Sequence, residues 1–200
     1  MTTGNHVWRH RDLVPVLESS ARVLRPANLG GLGAPGRGLT VVPAGDGTRV
    51  AVINLQGGLF MDTQVHPFLV AEELVAEARR ETPIILVDFH AEATSEKIAL
   101  ARMLDGHATA VIGTHTHVPT ADERVLPQGT AYITDVGMTG PYDSVIGITK
   151  ETILQKFLTQ MPARFEPAEG DARLCAVLIQ ADADTGRAMS IERTELRSDK

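Results

Sequence analysis

Two short apolar runs, each delivering histidine at its end, constrain this chain more than anything else in it. Ile84-Ile85-Leu86-Val87 leads into Asp88-Phe89-His90, and Ala108-Thr109-Ala110-Val111-Ile112 leads into Gly113-Thr114-His115-Thr116-His117. Continuous apolar runs of this length, rich in β-branched residues, are the pattern of strands buried on both faces in a parallel sheet. A helical stretch near 94–105 lies between them, and parallel neighbours require such a crossover. Parallel strands present their C-terminal ends to one crevice. The three imidazoles of His90, His115 and His117 are therefore expected to converge there as metal ligands.

The flanking sequence fits the same α/β reading. Residues 39–42 and 49–55 flank Gly45-Asp46-Gly47, which predicts a hairpin feeding Asn54-Leu55-Gln56-Gly57 at a strand end. Phe68, Ala71, Val75 and Ala78 recur at helical spacing, with Glu72, Glu73, Glu77, Arg79 and Arg80 elsewhere, so 67–80 reads as an amphipathic helix that Pro83 stops. A strand over 130–134 follows, then a Gly/Pro-rich loop over 137–147 and a helix near 150–160. Strands over 173–181 and 187–196 close the chain, turned by Asp184-Thr185-Gly186. Residues 25–38 form a long loop. No linker or repeat divides the chain, and 1–200 is read as a single domain.

Charge narrows the partners. With 19 Lys and Arg against 25 Asp and Glu, the net charge is −6, and no basic block provides a large nucleic-acid surface. A small nucleotide is not excluded. No apolar run approaches the ~20 residues of a membrane span, and Met1 to His6 has no signal-peptide pattern. A cytosolic protein with no membrane partner is expected, and the sequence sets no oligomeric state. The one cysteine, Cys175, lies in the apolar run Leu174-Cys175-Ala176-Val177-Leu178-Ile179 and reads as core filler.

The spacing of His115 and His117 sharpens the metal reading. In extended backbone, residues two apart point the same way and can address one ion or two adjacent ions. At the other end of the chain, Gly4-Asn5-His6 puts a neutral oxygen ligand beside a titratable imidazole, with a glycine that allows a tight turn. A lone histidine is more often a hydrogen-bonded core or surface residue than a ligand. His10, His66 and His107 are left in that class.

Gly4-Asn5-His6, His90 and Gly113-Thr114-His115-Thr116-His117 resemble the motifs of the calcineurin-like metallophosphoesterases. More narrowly, Asp88-Phe89-His90-Ala91-Glu92-Ala93-Thr94-Ser95-Glu96-Lys97, the run Gly113 to Val118, and Thr134-Asp135-Val136-Gly137-Met138-Thr139-Gly140-Pro141 are similar to the bacterial YmdB-type branch. The resemblance runs from Gly4 to about Arg193. It implies a four-layer α/β/β/α metallophosphoesterase sandwich and hydrolysis of cyclic nucleotides, such as 2′,3′-cyclic nucleotides, or related phosphodiesters. It also implies two divalent metal ions, with Mn or Fe expected and Zn or Co as alternatives. By motif, Asn5, His90 and His115 would hold one ion, His117 would contribute to the other, and His6 would be the acid beside the leaving oxygen.

Members of that family begin with a strand ending in Gly-Asp and a second ending in an acidic residue, both ahead of Gly-Asn-His. Neither motif is present here, so the chain is expected to lack the first strands and helices and the carboxylate that bridges the ions. Met1 would then be an internal methionine, activity would be impaired, and one ion in place of two would be bound. The alternatives are a non-catalytic metal- and nucleotide-binding module or an inactive fragment. Asp88 and Glu92 read equally as carboxylates that orient the free ring nitrogen of the histidine they flank and as ordinary surface or capping carboxylates. Trp8, Arg25 and Asn54 are weaker expectations as substrate contacts, and 137–147 is expected to be a lid or cleft wall.

Overall fold

A computed structural model describes residues 1–31 and 33–198. Seven of its nine strands and three of its four helices were predictable from pattern, and together they build two sheets. The hairpin is β1 (Leu39–Pro43) and β2 (Arg49–Gln56), followed by α2 (Pro67–Ala78), β3 (Ile85–His90), α3 (Thr94–Met103) and β4 (Ala110–Thr114). Ahead of them, Arg11–Leu13 makes a 3-10 turn that runs into the short α1 (Val14–Ser19). After β4 come β5 (Arg124–Val125), β6 (Ala131–Ile133), β7 (Thr139–Pro141), α4 (Lys150–Thr159), β8 (Ala172–Ala181) and β9 (Ala188–Arg197). The 3-10 turn, α1, β5 and β7 were not foreseen, being too short to impose a period.

The large sheet runs β1-β2-β3-β4-β6-β5. Its four inner strands are parallel, and β1 and β5 are antiparallel edges. Helix face and open face alternate along each strand. Ile85, Val87 and Phe89 of β3 are wholly buried against Ala71, Val75 and Ala78 of α2 and Leu100 and Ala101 of α3. Each such side chain contributes about 1.5–3 kcal/mol by leaving water. The intervening Leu86, Asp88 and His90 face the other way and are only half-buried. The expectation that this run is buried on both faces therefore holds fully for one face.

The other face is covered by the second sheet, β7-β8-β9, which is antiparallel throughout. Ala110, Ala131 and Ala188 pack there with Leu86, Ile112, Ile179 and Ile191. Helix α4 buries only Ile153. Helices, large sheet and small sheet thus form three packed layers. Gly113 lies where β4 meets the turn after β6. A Cβ there would stand 1.7 Å from the Thr134 carbonyl oxygen, so only glycine permits the approach.

Candidate metal centre

The alternation that fills the core also aims the site. Because Val87 and Phe89 point to the helices, Asp88 and His90 point to the opposite face, and in the neighbouring β4 Thr114 stands beside His90 in register. Residues 1–3 run along the same face. Thr2 bridges Leu24 in parallel, and Thr3 N–H donates to Asn54 Oδ1 at 3.2 Å. This delivers Asn5, in a turn after Gly4, to the tip of the His90 ring.

Three donor atoms meet there. His90 Nε2 lies 3.0 Å from Asn5 Oδ1 and 3.1 Å from His115 Nδ1. The far nitrogens of both rings are occupied. His90 Nδ1 is 3.1 Å from Thr114 Oγ1, whose single proton is donated to Asp88 Oδ1 at 2.8 Å, so the imidazole must donate to the hydroxyl. His115 Nε2 is 3.0 Å from Glu92 Oε2 and carries its proton toward that carboxylate. Burial, with help from the charge of His115, pushes the His90 imidazole down to about 4, and burial lowers His115 against the opposing pull of Glu92. Both rings are therefore neutral near pH 7, each with one proton; their bare nitrogens face each other, and that of His90 also faces the Asn5 oxygen.

Lone pairs on His115 Nδ1 and Asn5 Oδ1, each 3.0–3.1 Å from the bare His90 Nε2, repel it unless a cation lies among them. Ligands bound at ~2.1 Å to one ion stand roughly 3.0 Å apart at right angles and roughly 3.4 Å apart at the tetrahedral angle. The donor set therefore fits a divalent metal. The support behind it fits as well, because metal-binding histidines commonly donate their second ring nitrogen to a carboxylate or carbonyl. Among the described residues, however, no group of three or more His, Cys, Asp or Glu side chains gathers as a metal cluster. The centre is two imidazoles and an amide.

Neither His117 nor His6 is hydrogen-bonded to these three donor atoms among the described residues. The chain does not continue extended through the His-x-His: His115 has φ 105° and His117 φ 67°, both in the left-handed region, so the two rings are not aligned by strand alternation as expected. His117 instead donates from Nδ1 to the Ile146 carbonyl at 2.9 Å, which makes the 137–147 loop a wall against this histidine. Ile146 is itself left-handed, at φ 48°. Backbone strain at non-glycine residues persists where the surroundings over-determine it, and it clusters at functional sites. His6 is exposed beside Asn5, with no side-chain hydrogen bond among the described residues.

Other sequence expectations are corrected in detail. Glu92 orients His115, while His90, which it flanks, is oriented by Asp88 through Thr114. Gly4 is needed for room more than for a turn: a Cβ on it would lie 2.3 Å from His90 Nε2. Arg25 spends its guanidinium on the carbonyls of Pro26, Ala27, Leu29 and Pro35, and Trp8 packs against the cluster of Val7, Leu17 and Val23. Asn54 is wholly buried, so none of these three is presented to a substrate as expected. Thr114, Lys97 and Asp135 were missed as site residues although they lie inside the matched motifs. The signal available for Thr114 was its alternation with Ile112 on β4.

The fold and the centre define an α/β protein that carries a histidine and amide donor set at the carboxyl ends of parallel strands. The chain belongs to the YmdB-like protein family, whose model matches residues 1–194. It is 52% identical over 199 residues to a Bacillus subtilis (strain 168) protein described as a 2′,3′-cyclic-nucleotide 2′-phosphodiesterase, covering 100% of this chain and 75% of that protein. Two crystal structures share the fold. One, of a hypothetical protein from Thermus thermophilus, matches at TM-score 0.91 and 44% identity, over 98% of this chain and 75% of that one. The other, of a novel phosphatase from Mycoplasma pneumoniae, matches at TM-score 0.87 and 36% identity, over 98% and 71%.

Proposed function

We propose that this chain is a metal-dependent phosphoesterase that hydrolyses small phosphodiesters, 2′,3′-cyclic nucleotides among them. The observation that carries the reading is the convergence of the His90 Nε2, His115 Nδ1 and Asn5 Oδ1 lone pairs. The Bacillus relative's described activity supports the substrate class. In this reading residues 1–200 act as one domain, related to the four-layer metallophosphoesterase sandwich. A cytosolic site of action fits a chain in which, among the described residues, no helix is long and apolar enough to cross a membrane. The net charge of −6 suits a small nucleotide better than a nucleic-acid strand.

Asn5, His90 and His115 would hold an ion of the Mn or Fe kind, with Zn or Co as the other candidates. A divalent ion there supplies Lewis acidity toward phosphoryl oxygens and acidifies water. The chain's own residues do the rest. The Asp88–Thr114 relay and Glu92 fix which nitrogen of each ring is bare. His6, exposed one residue from Asn5, passes a proton to the departing oxygen. His117, by the family motif, would contribute to a second ion. Two cations a few ångströms apart need anionic ligands between them, and the gathered set of two imidazoles and one amide suits one ion better than two. Weak turnover follows.

That same donor set favours a second reading, a binding module that keeps one metal and recognises a nucleotide without cleaving it. Hydrolysis of bis-p-nitrophenyl phosphate and of 2′,3′-cyclic AMP with added Mn separates the two. Turnover by the purified chain, lost in His115→Ala, supports the phosphoesterase. Mn-dependent nucleotide binding in calorimetry without turnover supports the module, and neither binding nor turnover removes both.

A further inference from the structure

Beneath the histidine loop lies a buried ion pair that the mechanism above does not use. Lys97, on α3, is wholly buried, and its Nζ donates to Asp135 Oδ2 at 2.9 Å, with the carboxylate 1% exposed. Such a pair is poor evidence of stabilisation, because desolvating two ions offsets their attraction and apolar replacements of similar volume are often no worse. The remaining bonds of the carboxylate suggest what it is for. Oδ2 also accepts the N–H of Thr116, the residue between His115 and His117, at 3.0 Å, and Oδ1 accepts the N–H of Gly137 at 2.9 Å. Gly137 opens the loop whose Ile146 carbonyl holds His117. The Asp135 N–H donates to Thr120 Oγ1, and the Val136 N–H donates to the Gly113 carbonyl, just ahead of the histidines. One carboxylate thus joins α3, the histidine loop and the loop that walls it.

We propose that Asp135 is a positioning residue for the metal centre, with Lys97 as its buried counter-ion: by holding the Thr116 amide it sets where the His115 and His117 rings stand relative to His90. The two histidines flanking Thr116 are the ones with left-handed backbone, at φ 105° and 67°, a state that needs an external tether. The inference rests on the metal reading of the preceding subsection.

The test is a Co(II) titration of the full chain, followed by visible absorption and calorimetry, on wild type and on Lys97→Met/Asp135→Leu, with thermal unfolding in parallel. The double replacement removes both charges together, so neither is left buried alone. A cooperative unfolding transition with Co(II) affinity reduced about 10–100-fold, the usual effect of losing support behind a ligand, is the expected result. A folded double variant that binds Co(II) as wild type overturns the positioning role and leaves the metal reading standing. A wild type that binds no Co(II) overturns the metal reading and this inference with it. If the leucine variant does not fold, Lys97→Met/Asp135→Ala likewise removes both charges and every acceptor, and unchanged Co(II) affinity in that variant overturns the proposal equally.

Discussion

Adding one methyl group at Gly4 tests the centre from its tightest contact. A Cβ there would stand 2.3 Å from His90 Nε2, 2.4 Å from Cε1 and 2.7 Å from Cδ2, where ordinary contact begins at 3.4 Å. The imidazole would have to retreat by about 1 Å, or the Gly4 backbone would have to lift away by as much. Either movement separates Asn5 Oδ1 and His115 Nδ1, now 3.0 and 3.1 Å from Nε2, and opens the three-atom convergence. Overpacking of this kind costs roughly 1–3 kcal/mol in stability, or a fall in Tm of about 2–10 °C for a chain of this size. Co(II) or Mn(II) affinity should fall by more than the stability loss suggests, about 10–100-fold, because displacing a ligand is felt directly at the ion. Gly140→Ala is the control, since nothing lies within 4 Å of a Cβ there. Differential scanning calorimetry and metal titration of both variants decide the matter. Metal affinity in Gly4→Ala equal to that of Gly140→Ala would refute this geometry.

Two further outcomes follow from the same residues. His90 titrates at about 4 in the folded protein against an ordinary 6.5, so between those values the unfolded chain binds the extra proton. The metal-free protein should therefore lose stability as pH falls from about 6.5 to about 4, by on the order of 3 kcal/mol from this group. Asp88, whose carboxyl is raised chiefly by desolvation, acts in the opposite direction, so the slope is isolated by comparing urea denaturation of wild type with His90→Gln; equal slopes would refute the assignment. Removing the acceptor behind His115 with Glu92→Ala frees the Nε2 proton and should weaken metal binding about 10-fold, the low end of the usual range because Glu92 is half-exposed. An unchanged Co(II) titration would show that Glu92 holds nothing.

Much of the fold was legible because its signals are local. The runs ending at His90 and His115 announce β3 and β4, and the period of Ala71, Val75 and Ala78 announces α2. The hairpin β8–β9 is announced by its turn. What escaped was short or non-local: α1 is six residues, β5 two, and β7 three, and none of these repeats a pattern often enough to be seen.

The site divides along the same line. That His90 and His115 belong together follows from strand ends sharing one crevice, whereas Asn5 joined them only through the resemblance of Gly4-Asn5-His6 to the family motif. Their orientation was not readable, because it depends on contacts 24 to 38 residues apart in sequence, such as Thr114 with His90 and Lys97 with Asp135. Alternation gave a wrong geometry for His115 and His117, since it assumes that the strand continues past Thr114. The backbone leaves the strand there because Asp135 and the Ile146 carbonyl draw Thr116 and His117 away from it. Of the two histidines, His115 is thereby bonded to His90 and His117 to the loop wall. A metal stoichiometry of one per chain at saturating Mn(II) is the value expected of two imidazoles and one amide, and a stoichiometry of two would show that His117 takes part in holding a second ion.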